Sequence, residues 1–209
     1  MRILDISSGQ ISTLTNSAND FNPFWSPDGN QIAFTRQTDK GMNVFVMDAN
    51  GQHVYALMDT TDSLTLIGWM PDGRRLMVSV DQQDGILIQS VDVASGNIET
   101  LKTLSQSYNG SVSVSPDGAW IAYADKVIGK MYPGIFISRL DGSQKKLLMQ
   151  LEDWTTTVSA WSADGKWLTV NVTDTNQFQP ITVPALLNVD TCQIVPLTNL
   201  NGEIVEWVK

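Results

Sequence analysis

Short apolar runs recur along the chain, and residues typical of turns separate them. Four of these runs begin shortly after a glycine: Ile32–Phe34, Leu76–Val78, Ile121–Tyr123 and Leu168–Val170. Short runs rich in β-branched and aromatic residues, bounded by turn residues, are typical of β-strands. No convincing amphipathic helical pattern lies between them. The chain is therefore predicted to be all-β.

One turn motif occurs four times, and it begins with tryptophan in all but one copy. The copies are Trp25–Gly29, Trp69–Gly73, Val114–Gly118 and Trp161–Gly165. Their aspartates stand at positions 28, 72, 117 and 164, so the spacings are 44, 45 and 47 residues. A second motif keeps the same register, because Leu4–Ile11 aligns with Val91–Ile98. Four-stranded repeats of this period are typical of β-propeller blades.

The repeat predicts one β-propeller domain over residues 1–209, built from antiparallel blades with strands a to d. The four complete blades are predicted at residues 22–59, 64–103, 111–150 and 157–198, and we number them 1 to 4. Strands a to d are predicted at 22–26, 31–37, 43–49 and 53–59 in blade 1, and at 64–70, 75–82, 86–93 and 97–103 in blade 2. They are predicted at 111–115, 120–126, 134–140 and 144–150 in blade 3, and at 157–162, 167–174, 181–190 and 193–198 in blade 4.

A partial fifth blade is predicted from the two ends of the chain. Residues 2–15 match strands c and d, and residues 203–209 match strand a, whereas strand b has no counterpart. Two alternatives follow: a five-bladed ring that both ends close, or an arc of a larger propeller. Ring closure would hide sheet edges that otherwise invite pairing with other chains.

The turn motif has a structural explanation. Proline presets the first corner, aspartate bonds nearby backbone N–H groups, and glycine adopts the positive φ that completes the hairpin. The tryptophan before each turn can fill the wedge-shaped seam between blades. We therefore assign a structural role in the turn to eight residues: Asp28, Gly29, Asp72, Gly73, Asp117, Gly118, Asp164 and Gly165.

Composition and charge narrow the classes of partner. The 209 residues are 42% apolar and carry a formal net charge of −9. This charge argues against nucleic acid, which requires a basic surface. No run of about eighteen apolar residues exists, so we expect no membrane insertion. The first residues lead directly into a strand pattern, which predicts no signal peptide here. The compartment stays open between the cytoplasm and, after removal of a leader, the periplasm.

The segments Phe24–Thr35 and Asn43–Gly51 carry a family resemblance. They resemble the WD-repeat-like propeller repeat of the TolB family, which also occurs in the propellers of prolyl oligopeptidase, dipeptidyl peptidase and tricorn-type proteases. The resemblance implies a protein-binding scaffold, although the additional N-terminal domain of TolB has no counterpart. Val114 departs from the repeat in replacing tryptophan, and Ala163 departs from it in replacing proline.

We expect a non-catalytic scaffold that binds a protein or peptide and is either free-standing or part of a larger protein. The sequence contains no Gly-x-Ser-x-Gly motif, and its single Cys192 and single His53 offer no nucleophile–base pair. We expect no cofactor. In propellers the d–a and b–c loops share one face, and acidic and aromatic residues there suit a positively charged partner. The candidate binding residues in these loops are Asp20, Asp62, Tyr132, Asp153, Trp154 and Phe178.

Three alternatives remain open at this stage. A metal-dependent hydrolase or lactonase-like propeller would need carboxylates that converge in the channel, for which Asp20, Asp62 and Asp153 are candidates. Asp59–Asp62 could also supply oxygen ligands to Ca²⁺, although it lacks the dense acidic loop of a calcium motif. The chain could instead be the regulatory propeller of a peptidase. As a partner, a second copy of the chain is also possible, through self-association at open blade edges.

Overall fold

The computed structural model describes residues 1–105, 111–176 and 181–197. These residues form eighteen β-strands and no helix. Blade 1 contains β3 (Asp20–Trp25), β4 (Gln31–Thr38), β5 (Gly41–Asp48) and β6 (Tyr55–Met58). Blade 2 contains β7 (Leu64–Trp69), β8 (Arg75–Gln82), β9 (Gly85–Asp92) and β10 (Ile98–Leu104).

The second half of the chain repeats this arrangement. Blade 3 contains β11 (Val112–Val114), β12 (Trp120–Asp125), β13 (Gly134–Arg139) and β14 (Lys146–Gln150). Blade 4 contains β15 (Trp154–Trp161), β16 (Trp167–Asp174), β17 (Ile181–Asn188) and β18 (Ile194–Pro196). The four sheets have the strand order a-b-c-d. The predicted all-β fold of four-stranded antiparallel blades is confirmed.

The partial blade is described only at its N-terminal side. β1 (Arg2–Leu4) and β2 (Ile11–Thr13) pair in antiparallel orientation as a two-stranded sheet. Met1 and Leu14 at its end pack against the buried side chains of Ile32, Phe34 and Met47. The predicted strand a over residues 203–209 lies outside the described residues.

The chain divides into two compact units. Unit 1 is Met1–Gln82 with Leu87–Thr100, and unit 2 is Gln83–Ile86 with Leu101–Lys209. Unit 1 therefore holds β1, β2, blade 1 and most of blade 2, and unit 2 holds blades 3 and 4.

Tryptophan seals the seam between blades in each unit. In unit 1, Trp69 packs against a core that both blades build, and its Nε1 donates a hydrogen bond to the Phe24 carbonyl at 3.0 Å. In unit 2, Trp161 lies in the core shared by blades 3 and 4, and its Nε1 donates to the Ser113 carbonyl at 3.0 Å. The predicted seam-filling role of the repeated tryptophan is confirmed at these two positions.

The turn after strand a is held by a serine–aspartate pair. Ser26, Ser115 and Ser162 each donate to the Oδ1 atom of the aspartate two residues later, at 2.5–2.6 Å. The same Oδ1 atom accepts the backbone N–H two residues further on. The glycine that follows each of these three aspartates has a φ between 69° and 73°, a left-handed conformation that glycine adopts without strain.

Acidification is expected to lower the free energy of unfolding below about pH 4, the range in which an unfolded aspartate titrates. Hydrogen bonds from serine, and then from backbone N–H groups, lower the folded-state pKa of Asp28, Asp117 and Asp164. A lowered folded-state pKa stabilises the fold above the unfolded-state pKa. That stabilisation is lost as the pH falls through the folded-state value. Thermal midpoints of unfolding measured between about pH 7 and about pH 3 report how the stability depends on pH.

The matched variant carries Asp28→Asn, Asp117→Asn and Asp164→Asn. Asparagine keeps an oxygen acceptor at each turn but does not titrate, so the acid dependence should become shallower. An acid dependence as steep as that of the wild type would show that these three carboxylates contribute little.

Candidate functional site

The structure places the predicted binding residues in both units. Asp20 and Asp62 belong to unit 1, and Tyr132, Asp153 and Trp154 belong to unit 2. Phe178 lies outside the described residues.

Asp20 forms an internal ion pair. Its side chain is fully covered, and the Arg36 Nε and Nη2 atoms donate to its two oxygens at 2.5 and 3.0 Å. Burial by itself raises the pKa of Asp20, but hydrogen bonds from Arg36 and Thr15 outweigh burial and lower it. The Arg36 guanidinium also lies over the rings of Phe34 and Phe45, at 5.2 and 4.8 Å. Asp20 therefore has a strong partner within its own blade.

Asp62 is exposed in the loop between β6 and β7. Its backbone N–H donates to the Thr60 hydroxyl at 3.0 Å, which gives the loop a local turn.

Tyr132 and Asp153 meet around Thr175 at one end of blades 3 and 4. The Thr175 hydroxyl donates to the Asp153 carbonyl at 2.9 Å and lies 3.3 Å from the Tyr132 hydroxyl oxygen. Asp153 itself is exposed and has a φ of 66°. The structure thus brings together two candidates that stand in different loops of the sequence.

Trp154 differs from its predicted position in a loop. β15 begins at Trp154 and not near residue 157, and Trp154 pairs with Asp174 of β16. Its half-buried side chain packs against the hydrophobic core of blades 3 and 4. The strand is longer than predicted because β16 extends to Asp174 and provides backbone partners along this whole length.

The loop between β12 and β13 presents two apolar side chains that sequence reasoning missed. Ile128 is 97% exposed and Met131 is 83% exposed. Lys130, which stands between them, links this loop to the next one, because its Nζ donates a hydrogen bond to Glu152 Oε1 at 2.6 Å. The hydrogen bond and charge of Lys130 lower the pKa of Glu152. The signal in the sequence is that isoleucine and methionine flank a glycine–lysine pair in a turn, where polar residues are the rule.

We name the residues at this end of unit 2 the loop surface: Ile128, Met131, Tyr132, Glu152 and Asp153. It combines exposed apolar groups with two carboxylates, on loops that hydrogen bonds and an ion pair hold in place. Exposed apolar side chains next to each other are a mark of interaction surfaces.

Residues 1–105, 111–176 and 181–197 contain no group of three or more His, Cys, Asp or Glu side chains that could hold a metal ion. Asp20, Asp62 and Asp153 form no such group there. In the same ranges no helix has the length and apolar character needed to cross a bilayer.

Four-stranded antiparallel sheets in a-b-c-d order, sealed by tryptophan at the seams, define a β-propeller protein. The particular family follows from its repeat. Residues 1–204 match the PD40 family, described as the TolB beta propeller domain. The chain belongs to this family.

Relatives with different activities share the fold. The chain is 27% identical over 180 residues to the uncharacterised peptidase YuxL of Bacillus subtilis (strain 168), a match that covers 81% of this chain and 24% of that protein. The structure of TolB from Acinetobacter baumannii matches with a TM-score of 0.64 and 16% identity over 94% of this chain and 53% of that chain. An oligogalacturonate lyase in complex with manganese matches with a TM-score of 0.70 and 15% identity, over 94% of this chain and 58% of that chain.

These matches establish the fold and the family but not an activity. The chain spans about a quarter of the curated peptidase that it matches, since the match covers 24% of that protein. Because the fold recurs in TolB, in peptidases and in a lyase, the function has to be argued from the site.

Proposed function

We propose that this chain is a non-catalytic scaffold of the TolB-like propeller type that binds a protein or peptide through the loop surface. The observation that carries the proposal is the nearly complete exposure of Ile128 and Met131 on a loop that Lys130 anchors to Glu152. An exposed ion pair such as this one contributes at most about 1 kcal/mol, so the affinity is expected to come mainly from the two apolar side chains.

The chemistry of the loop surface selects the kind of partner. Burial of an isoleucine or methionine side chain contributes about 1.5–3 kcal/mol each, and the flexible thioether of Met131 adapts to differently shaped apolar groups. Asp153 adds negative charge beside these anchors, since Glu152 is paired with Lys130, in a chain of net charge −9. Such a surface favours a segment with an apolar anchor flanked by lysine or arginine.

Replacement of both anchors is expected to weaken peptide binding. Peptides selected from a random phage-displayed library on the wild-type protein should lose affinity at least about tenfold for the Ile128→Ser, Met131→Ser variant, because two apolar contacts disappear. Fluorescence anisotropy with labelled synthetic copies of the selected peptides measures the change.

The matched control is Ile6→Ser, which removes an isoleucine that is 94% exposed but belongs to unit 1. It should leave the affinity unchanged. Equal binding by the wild type and the double variant would refute the loop surface as the binding site. Turnover of a substrate by the isolated chain, detected on a panel of peptides and oligosaccharides, would refute the non-catalytic role.

The sequence match to the Bacillus subtilis peptidase favours a second candidate, the propeller part of a longer peptidase. An antibody raised against this chain distinguishes the two in extracts of the source cells. A native product near the 23.0 kDa of this chain would exclude the fused peptidase, and a much larger product would support it.

A further inference from the structure

A cavity of about 360 Å³ opens between blades 3 and 4, within unit 2. We name it the junction cavity. Apolar walls come from Trp120, Ile137 and Trp161, and carboxylates come from Asp117, Asp164 and Asp190. Trp120 begins β12 and Ile128 follows its end, so the junction cavity and the loop surface lie at opposite ends of the same strand.

The cavity arises where the repeat is broken. The strand registers equate Lys146 in blade 3 with Tyr55 in blade 1, because Lys146 pairs with Ile137 as Tyr55 pairs with Val46. The Tyr55 hydroxyl donates to the Val93 carbonyl at 3.4 Å, and Lys146 Nζ donates to the equivalent Val189 carbonyl at 2.8 Å. Lysine thus keeps the bond across the seam but leaves the volume of the aromatic ring unfilled.

The turns after strand a are also farther apart at this seam. Pro116 of blade 3 stands at the position of Pro27 in blade 1. A Cβ atom built on Gly73 would lie 3.9 Å from the Pro27 ring, whereas nothing lies within 4 Å of one built on Gly165. The a–b turns therefore approach each other less closely at the seam between blades 3 and 4.

The charges that line the cavity are predominantly negative. Three carboxylates and one ammonium group, that of Lys146, line the cavity, and the charges of Arg139 and Lys166 act on Asp117 and Asp164 from outside the lining. Lys146 Nζ already donates to the carbonyls of Val189 and Asp190, at 2.8 and 3.2 Å. The described turn bonds of Asp117 and Asp164 use Oδ1, so Oδ2 of each stays available to a donor.

The aromatic walls offer ring faces to a ligand. The Arg139 guanidinium already lies 4.4 Å from the centre of the Trp120 ring, so one face of this indole is occupied within the protein. The N–H of Trp161 is used by the Ser113 carbonyl, so Trp161 contributes ring carbon to the cavity. Guanidinium groups combine stacking on indole with forked hydrogen bonds to carboxylates.

We propose that the junction cavity binds the arginine side chain of a peptide or protein. The indoles and Ile137 enclose its aliphatic stem and the flat face of the guanidinium, and the free carboxylate oxygens accept its N–H groups. A cavity of this volume falls in the range of small-ligand sites, about 300–1,000 Å³. Charge-assisted hydrogen bonds to the free carboxylate oxygens select a cation over a neutral side chain of the same shape.

N-acetyl-arginine amide is the probe that tests this site, and N-acetyl-citrulline amide is its uncharged isostere. NMR titration of the protein labelled with ¹⁵N should show saturable shifts of the indole N–H signals of Trp120 and Trp161 with the arginine probe. The citrulline probe should bind at least about tenfold more weakly, because it lacks the charge-assisted hydrogen bonds. Equal affinity for the two probes would overturn the proposal.

Two variants locate the site. Lys146→Tyr restores the residue that fills the equivalent position in blade 1 and should abolish the shifts. Asp164→Asn should weaken arginine binding, whereas Asp28→Asn changes the same turn of blade 1 and should not. An equal effect of these two asparagine variants, or full binding by Lys146→Tyr, would overturn the proposal.

Two further measurements test whether each variant stays folded and whether arginine binds at the loop surface instead of the junction cavity. Each variant is compared with the wild type by thermal midpoint, and Asp190→Asn replaces Asp164→Asn if the latter unfolds. The Ile128→Ser, Met131→Ser variant should retain the arginine shifts. Loss of those shifts in a folded variant would assign arginine to the loop surface and overturn the junction cavity as its site.

Discussion

Trp161→Ala is expected to lower the free energy of unfolding by about 3–5 kcal/mol, the usual cost of truncating a large buried aromatic side chain. Trp161 is only 7% exposed and lies in the core that blades 3 and 4 share. Its removal leaves a void at the seam and deprives the Ser113 carbonyl of its donor. Unfolding by urea, followed by far-ultraviolet circular dichroism, measures the loss.

The repeat supplies a matched control for this prediction. Trp25 occupies the same position of the motif but is 48% exposed, so Trp25→Ala should cost clearly less. The destabilisation by Trp161→Phe should lie between those of Trp25→Ala and Trp161→Ala, because phenylalanine keeps most of the ring volume but loses a hydrogen bond of about 1 kcal/mol. A cost for Trp25→Ala equal to that for Trp161→Ala would contradict the seam as the origin of the effect.

Arg36→Met is expected to destabilise the protein by about 3–5 kcal/mol, because it leaves a buried carboxylate without its partner. Asp20 is fully covered and receives both of its charge-assisted hydrogen bonds from Arg36 in the opposite strand. Methionine keeps the apolar contact with the neighbouring rings of Phe34 and Phe45 but brings no charge. Urea unfolding at about pH 7, where Asp20 is ionised in the unfolded chain, measures the loss.

The pH dependence of this destabilisation tests whether the unpaired carboxylate of Asp20 causes it. In the wild type the pKa of Asp20 is lowered, so the ion pair stabilises the fold above the unfolded-state pKa and is lost on acidification. In Arg36→Met burial, which raises the pKa, is opposed only by the Thr15 hydrogen bond and the charge of the N-terminus, so mild acidification to about pH 5 should reduce the destabilisation. The double variant Asp20→Asn, Arg36→Met should recover much of the stability. A double variant no more stable than Arg36→Met would contradict an unpaired buried charge.

The strands could be predicted closely because their periodicity is local. β8 and β16 have the bounds that the apolar runs indicate, since each run is flanked by a turn motif whose chemistry is written in a few adjacent residues. Trp154 was predicted in a loop because no local signal marks the start of β15. The length of that strand depends on the backbone partners that β16 provides.

The candidate site was predictable only in part. Tyr132 and Asp153 belong to the predicted face, but their contact through Thr175 joins loops more than twenty positions apart, as Asp153 and Thr175 show. The exposure of Ile128 and Met131 was not anticipated, because isoleucine and methionine are usually buried and only the packed fold shows which apolar residues find no neighbours.

The amino-acid sequence by itself determined the repeat, the four-stranded blades, the turn chemistry and the family, because each depends on residues that lie close together in the chain. Tertiary structure alone decided that Asp20 is paired with Arg36, that the exchange of Tyr55 for Lys146 in the repeat opens a cavity, and that the loop surface is exposed. These features depend on side chains from different strands or blades. Their burial and partners are set by packing between strands and between blades, which no local pattern records.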